Sequence, residues 1–268
     1  MSVQSLYTAA SGMEAMQTKL DVIANNLANI NTTAFKSDRA NFEDLFYRQK
    51  VYPGMLDAQQ NPTPVGVEVG FGSRIQSTQK DFRQGAIEQT GRELDIAIEG
   101  HGFMQVIDPA SQNILYTRSG NLDINANGQL VIGSAQAGRL LEPAVTIPQD
   151  ATAVVINPNG QVLVRQVGQT QLVPLADLQL VHFINPDGLM KLGENLYQMT
   201  DASGQPIQGT PGRDGLGVIR QGALEKSNVE PVKDLINLIT TQRGFELNSQ
   251  AIQAGDQLLQ QIVNLRRF

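Results

Sequence analysis

A chain of 268 residues that is 41% apolar and 17% charged, with 25 glycines and no tryptophan, has room for one large domain or two modest ones. Its composition favours turn-rich β-structure over a large apolar core. The net charge of −6 leaves no basic surface for phosphate and argues against nucleic acid, and the absence of cysteine excludes disulfides, thiolate metal sites and cysteine nucleophiles.

The first stretch carries two interleaved seven-residue apolar series. Leu6, Met13, Leu20 and Leu27 form one, and Ala9, Met16, Ile23 and Ile30 form the other. This three-four alternation keeps one seam of a helix against a partner helix, so it predicts a helix to about Asn29. The cluster Asn25, Asn26, Asn29 and Asn31 is unusual at a helix end. Asn terminates helices well, and its amide can also bond a neighbouring backbone; both readings stand. The start has no basic region followed by an unbroken apolar run, so no secretory signal peptide is expected there. Nor does any segment have the ~18 apolar residues that would span a bilayer.

Residues 37–75 read as an extended arm. Pro53, Pro62 and Pro64, with Gly54, Gly66, Gly70 and Gly72, forbid regular helix. Val65 to Val69 alternates like a strand. The Gly70-Phe71-Gly72 fragment lacks a third glycine and a Walker lysine, so no phosphate site is expected.

Residues 76–230 read as an all-β domain. Asp95 to Ile107 alternates around a Gly-His-Gly turn, and Leu115 to Arg118 is a further short strand. Asn127-Gly128 and Asn159-Gly160 suit type I′ hairpin turns, and Asp187-Gly188 suggests a third.

Residues 231–268 return to helix, opened by Pro231, which a first turn tolerates. Leu238, Phe245, Ile252 and Leu259 repeat every seven residues, with Leu235 beside them. One heptad position turns polar at Gln242, Ser249 and Asp256, which suits a helix with several neighbours. Arg266-Arg267 would complement the helix dipole. The expected fold is therefore α+β and discontinuous. Long N- and C-terminal helices (1–36 and 231–268) pair as a coiled coil, with the arm and the β-domain inserted between them.

Little suggests catalysis. His101 falls in a turn and His182 in a strand; there is no Gly-x-Ser-x-Gly elbow, and no carboxylate pair stands out. No enzyme activity, metal or cofactor is expected.

The segment Ala24-Asn25-Asn26-Leu27-Ala28-Asn29-Ile30-Asn31-Thr32-Thr33-Ala34-Phe35-Lys36 resembles the N-terminal signature of flagellar axial proteins, the rod and hook subunits. Its core is Ala24 to Asn29 with Phe35 and Lys36. One departure is Ala34, where the pattern has glycine. If that glycine takes a positive φ, the turn here must adjust, because alanine resists the region. Gly100 to Val106, Tyr116 to Leu122, Gly193 to Tyr197, Gln221 to Val229 and Gln242 to Ile252 are similar to family blocks as well. Length and the insert after Phe46 point to the distal rod branch.

The resemblance implies a homo-oligomeric helical tube around an export channel, with the terminal helices as concentric layers and the β-domain outside. It implies export through the flagellar type III apparatus without a cleaved signal peptide, and assembly under a rod cap. Other rod subunits, the hook subunit, and the peptidoglycan-ring and outer-membrane-ring proteins are the implied neighbours, with torque passed to the hook. The alternative within the same family is another flagellar rod or hook-type axial subunit, and a coiled-coil-oligomerised surface binding module and an enzyme acting on peptidoglycan are the readings from other classes.

Overall fold

The computed structural model describes residues 3–55, 64–109, 111–134, 137–169 and 171–265. The chain divides into two compact units, each discontinuous in sequence. Residues 1–28, 38–80 and 230–268 form one, and residues 29–37 and 81–229 form the other.

The helical unit contains α1 (Val3–Ala28) and α2 (Pro231–Leu265), packed against each other. A Cβ added to Gly12 would sit 3.0 Å from the Asn248 amide, and one on Gly244 would sit 3.7 Å from Met16 Sδ. Residue numbers rise along one helix as they fall along the other, so the pair is antiparallel. Small residues at these two points let the helix axes approach closely. Four strands complete the unit. β1 (Asp38–Asp44) pairs with β4 (Ser73–Lys80), and β2 (Tyr47–Val51) pairs with β3 (Val67–Gly70), each antiparallel. Both β1 and β4 contact α1, and Lys19 Nζ lies 5.9 Å from the Phe42 ring centroid. The stretch read as an arm thus carries two strand pairs; its residues 56–63 lie outside the described residues, as does Arg266-Arg267.

The β-unit holds β5 (Ile87–Gln89), β6 (Ile96–Glu99), β7 (Met104–Ile107), β8 (Ile114–Thr117), β9 (Leu122–Ile124), β10 (Leu130–Ser134) and β11 (Ala137–Glu142). It continues with β12 (Ala151–Ile156), β13 (Gln161–Gln166), β14 (Val173–Asp177), β15 (Leu180–His182), β16 (Met190–Gly193) and β17 (Leu196–Gln198). The last three are β18 (Ile207–Gly209), β19 (Val218–Gln221) and β20 (Ala223–Glu225). One sheet runs β16-β17-β8-β7-β11-β10-β9, and another runs β12-β13-β14. Early and late strands pair with each other: β6 with β19, and β5 with β20. The core is aliphatic, with Ile96, Ile98, Val106, Leu122, Val162, Val164 and Leu180 fully or almost fully buried. Phe103, Tyr116, Phe183 and Tyr197 form a second cluster against Phe82, mostly edge-to-face.

Turn chemistry departs from the sequence reading at three glycines. Gly128 and Gly160 have φ of +80° and +88°, but neither Asn127 nor Asn159 has a positive φ, so these are not type I′ turns. Asn125 takes the decisive role. Its Oδ1 accepts from the Asn127 and Gln129 amides, and the Gly128 N–H donates to the Asn125 carbonyl. That stabilises a three-residue loop ending in a left-handed glycine. Around Gly188 there is no hairpin. Pro186–Gly188 is a 3-10 turn, and β15 pairs with β18 instead. Likewise Gly-His-Gly carries the chain out of β6, which pairs with β19, and into β7, which pairs with β8 and β11.

Candidate functional site

Two features stand out for function: the faces of the helical pair, and a buried charge cluster in the β-unit.

The seven-residue series meet different fates. In α1, Ile23 is buried with Ala9, Ala15 and Asn26, while Leu6, Met13, Met16, Leu20 and Leu27 are half-buried. Ile30 lies past the helix end and is half-buried in the β-unit. In α2, Leu238, Phe245, Ile252 and Leu259 are half-buried on the face that carries Thr241, Gly244 and Asn248, toward α1. Leu235 is off that face and 45% exposed. Gly12, Gly244 and Asn248 were not legible as contact residues, because a glycine within a helix pattern carries no apolar signal.

A second apolar stripe runs along α2 on the roughly opposite side. Val232, Ile236, Ile239, Leu247, Leu258 and Ile262 are all exposed, Val232 at 70% and Leu247 at 66%. Ile236, Leu247 and Leu258 are eleven residues apart, about three helical turns. The helix is 35 residues long, so the stripe extends for nearly its whole length of about 50 Å.

The signature segment is divided between roles. Ala24, Asn25 and Ala28 are exposed on α1, and Leu27 is half-buried. Asn26 is 3% exposed and clamps the main chain of Asp38: its Nδ2 donates to the Asp38 carbonyl at 2.8 Å, and its Oδ1 accepts from the Asp38 amide at 2.9 Å. The packing alternative for the asparagine cluster therefore holds at this position. Within the β-unit, the Thr32 Oγ1 donates to Asn29 Oδ1. Ala34 takes φ +55° itself, and its N–H donates to the Glu225 carbonyl at 2.8 Å. The turn has not adjusted to alanine; alanine has adopted the left-handed conformation, held by that bond and by full burial.

Phe35 is buried under Lys191, whose Nζ lies 4.1 Å from the ring centroid. Lys36 is buried completely. Its ammonium donates to Glu225 Oε1 at 2.8 Å and to the Arg83 carbonyl at 2.7 Å. The Glu225 carboxylate, also fully buried, accepts further from the Gly85 amide at 2.9 Å and from Arg118 Nε at 3.0 Å. Arg118 then donates to the carbonyls of Gly102, Ile98 and Gly100. Two cations thus share one carboxylate. Desolvation, with the Arg118 charge next, lowers the Lys36 pKa to about 8. For Glu225, desolvation pushes the pKa up, but Arg118 and Lys36 outweigh it and hold the carboxyl below its usual range. Neither Glu225 nor Arg118 was singled out in the sequence, where each was one charge within a family-like block.

His101 is exposed in the bend between β6 and β7, and His182 is half-buried in β15. Among the described residues, no cluster of three or more His, Asp or Glu could hold a metal ion. No described helix is long and apolar enough to cross a membrane.

Models of flagellar rod and hook proteins match three stretches of the chain. Residues 6–36 match the flagella basal body rod protein model, residues 97–164 the D1 domain of flagellar hook protein FlgE/F/G, and residues 220–265 the C-terminal model of flagellar basal body rod FlgEFG protein. The flagellar basal-body rod protein FlgG of Buchnera aphidicola (from Acyrthosiphon pisum) is 43% identical over 263 residues, covering 98% of this chain and 100% of the relative. That of Caulobacter vibrioides is 41% identical over 98% of this chain and 100% of its own length. That of Bacillus subtilis is 36% identical over 99% and 100%. The chain belongs to the FlgG family of flagellar distal-rod proteins.

Proposed function

We propose that this structural subunit of the distal rod polymerises into a helical tube that encloses the export channel and passes motor torque to the hook. The observation that carries the reading is the apolar stripe of α2. Large exposed side chains along about 50 Å of helix, opposite the face on α1, are costly in water and call for a protein neighbour. A neighbour supplied by a further copy, through a contact that does not close on itself, builds a helical filament. The role is structural, not catalytic.

The α1–α2 pair acts as a coiled-coil layer of the tube, with Leu6, Met13, Met16, Leu20, Ile23 and Leu27 on one side and Leu238, Phe245, Ile252 and Leu259 on the other; Ile30, past the end of α1, and Leu235, off the shared face, are not part of this seam. The helical unit, residues 1–28, 38–80 and 230–268, then supplies the layer helices, and the β-unit, residues 29–37 and 81–229, supplies the β-domain of the subunit. Other rod subunits and the hook subunit meet the ends of the tube, and the peptidoglycan-ring and outer-membrane-ring proteins surround it. The chain reaches its site through the type III apparatus without cleavage and is placed under the rod cap. The β2–β3 arm exposes Phe46 at 89% and Tyr52 at 63%, which fits a segment that lies over a neighbouring copy and stiffens the tube.

The test is Leu247→Asp in full-length protein, scored by electron microscopy of isolated basal bodies and by motility. Loss of the distal rod is expected, because a charge would be buried at the new contact. Complete rods in this variant would refute the α2 contact. Deletion of residues 50–65 should lower the bending stiffness of rods that still form; unchanged stiffness would count against the arm.

A further inference from the structure

The hydrogen bonds that seat residues 33–37 in the β-unit come mostly from the far end of the chain. Lys36 reaches Glu225 across 189 residues, and the Ser37 amide reaches Asn228 Oδ1 across 191. The Asn228 amide returns to the Phe35 carbonyl, and its Nδ2 donates to the carbonyls of Asp81 and Arg83. Asn195 Nδ2 donates to the Thr33 carbonyl, and Lys191 Nζ to that of Lys36. Gly85 and Arg118 wait for the same Glu225 carboxylate, 140 and 107 residues downstream. The sheets follow the same plan, since among the described residues β5 and β6 find their partner strands in β20 and β19. By contrast, β9 and β10, or β12 and β13, are neighbours in sequence and can pair as soon as both have emerged.

We propose that Glu225 is a closure latch, which leaves the first strands of the β-unit and the segment 29–37 unassembled until the chain has been delivered through Asn228. Three physical terms support it. Local hairpins close at small entropic cost, whereas contacts across more than a hundred residues come late. Before Glu225 arrives, Lys36 and Arg118 are two cations meant for one buried site with no counter-charge, so early burial of either is penalised. Segments whose only strand partners are far downstream cannot complete a sheet locally. A chain that moves N-terminus first therefore stays open over its leading part, then locks in a single late step. The benefit for delivery to a growing rod rests on the export reading above; the folding order itself does not.

The experiment is refolding of the full chain from urea with pulsed amide hydrogen exchange, the right probe for a protein without tryptophan. Amides of the β12–β13 hairpin, such as Val155, should gain protection in an early phase. Those of Ala34, Ser37 and Gly85 should gain it together in the last phase. In Glu225→Gln the early phase should persist, while protection of Ala34, Ser37 and Gly85 falls by at least about 100-fold. Early protection of Ala34 and Ser37 in the native sequence would overturn the latch, as would unchanged late protection in Glu225→Gln. If the variant does not fold, the native-sequence order alone decides. A latch overturned in this way leaves rod assembly, scored by microscopy, untouched.

Discussion

Replacing Lys36 with methionine separates the carboxylate that this cluster needs from the cation it tolerates. The ammonium is fully buried beside a second cation, and its pKa falls from 10.5 to about 8, first through desolvation and then through Arg118. A depressed base binds its proton more weakly in the folded state, so the unfolded chain holds more protons between pH 8 and 10.5. Stability from this group is therefore fully present above 10.5 and is lost as the pH falls to 8. A shift of this size corresponds to about 3 kcal/mol of penalty on the charged form at neutral pH, as an order of magnitude. Lys36→Met removes that penalty and keeps an unbranched chain of similar volume.

The cost of the change is modest. Glu225 Oε1 keeps the Gly85 amide at 2.9 Å, and the Arg83 carbonyl keeps Asn228 Nδ2 at 3.1 Å, so no buried acceptor is left bare. At pH 7 the variant should be as stable as the native chain or more stable by up to about 2 kcal/mol. Its stability relative to the native chain should then decline by about 3 kcal/mol as pH rises from 8 to 10.5, because only the native chain gains there. Urea unfolding followed by far-ultraviolet circular dichroism, at pH 7 and pH 10, measures both quantities on the β-unit transition. A variant destabilised by more than about 2 kcal/mol at pH 7 would refute the reasoning, and so would a pH-independent difference.

Asn26→Ala should destabilise the helical unit by about 2–3 kcal/mol, since it leaves both main-chain groups of Asp38 without the amide that satisfies them; hydrogen exchange at the Asp38 amide would report the loss. Ala34→Gly should change stability by less than about 1 kcal/mol, because relief of the positive φ is offset by a lost buried methyl and a more flexible unfolded chain. Ala34→Val, with a branched side chain at φ +55°, should cost more than about 2 kcal/mol in the same urea assay. Gly120→Ala would drive its Cβ into the main-chain carbonyl of Ile96 in β6; a loss of about 3 kcal/mol or more is expected by urea unfolding, and a neutral result would show that β6 can shift.

The two long helices and the β-rich middle were legible because their signals are local. Heptad spacing marks a helix by itself, and Pro231 marks where α2 begins. Single-residue turn chemistry was less secure. Asn127-Gly128 looked like a type I′ turn, but the side chain of Asn125, two residues earlier, decided between two loops that share the same dipeptide.

Sequence alone determined the family blocks, the two terminal helices and the absence of thiol chemistry, all of which follow from residue identity and spacing. Tertiary structure decided what those residues touch. Leu238, Phe245, Ile252 and Leu259 turn toward α1, which leaves a different set from Val232 to Ile262 facing outward; spacing names a face without naming its neighbour. It also decided that Lys36, Arg118 and Glu225 meet. Their separations of 107 and 189 residues leave no trace in any local pattern, because a buried charge is defined by what surrounds it in space and not by what adjoins it in the chain.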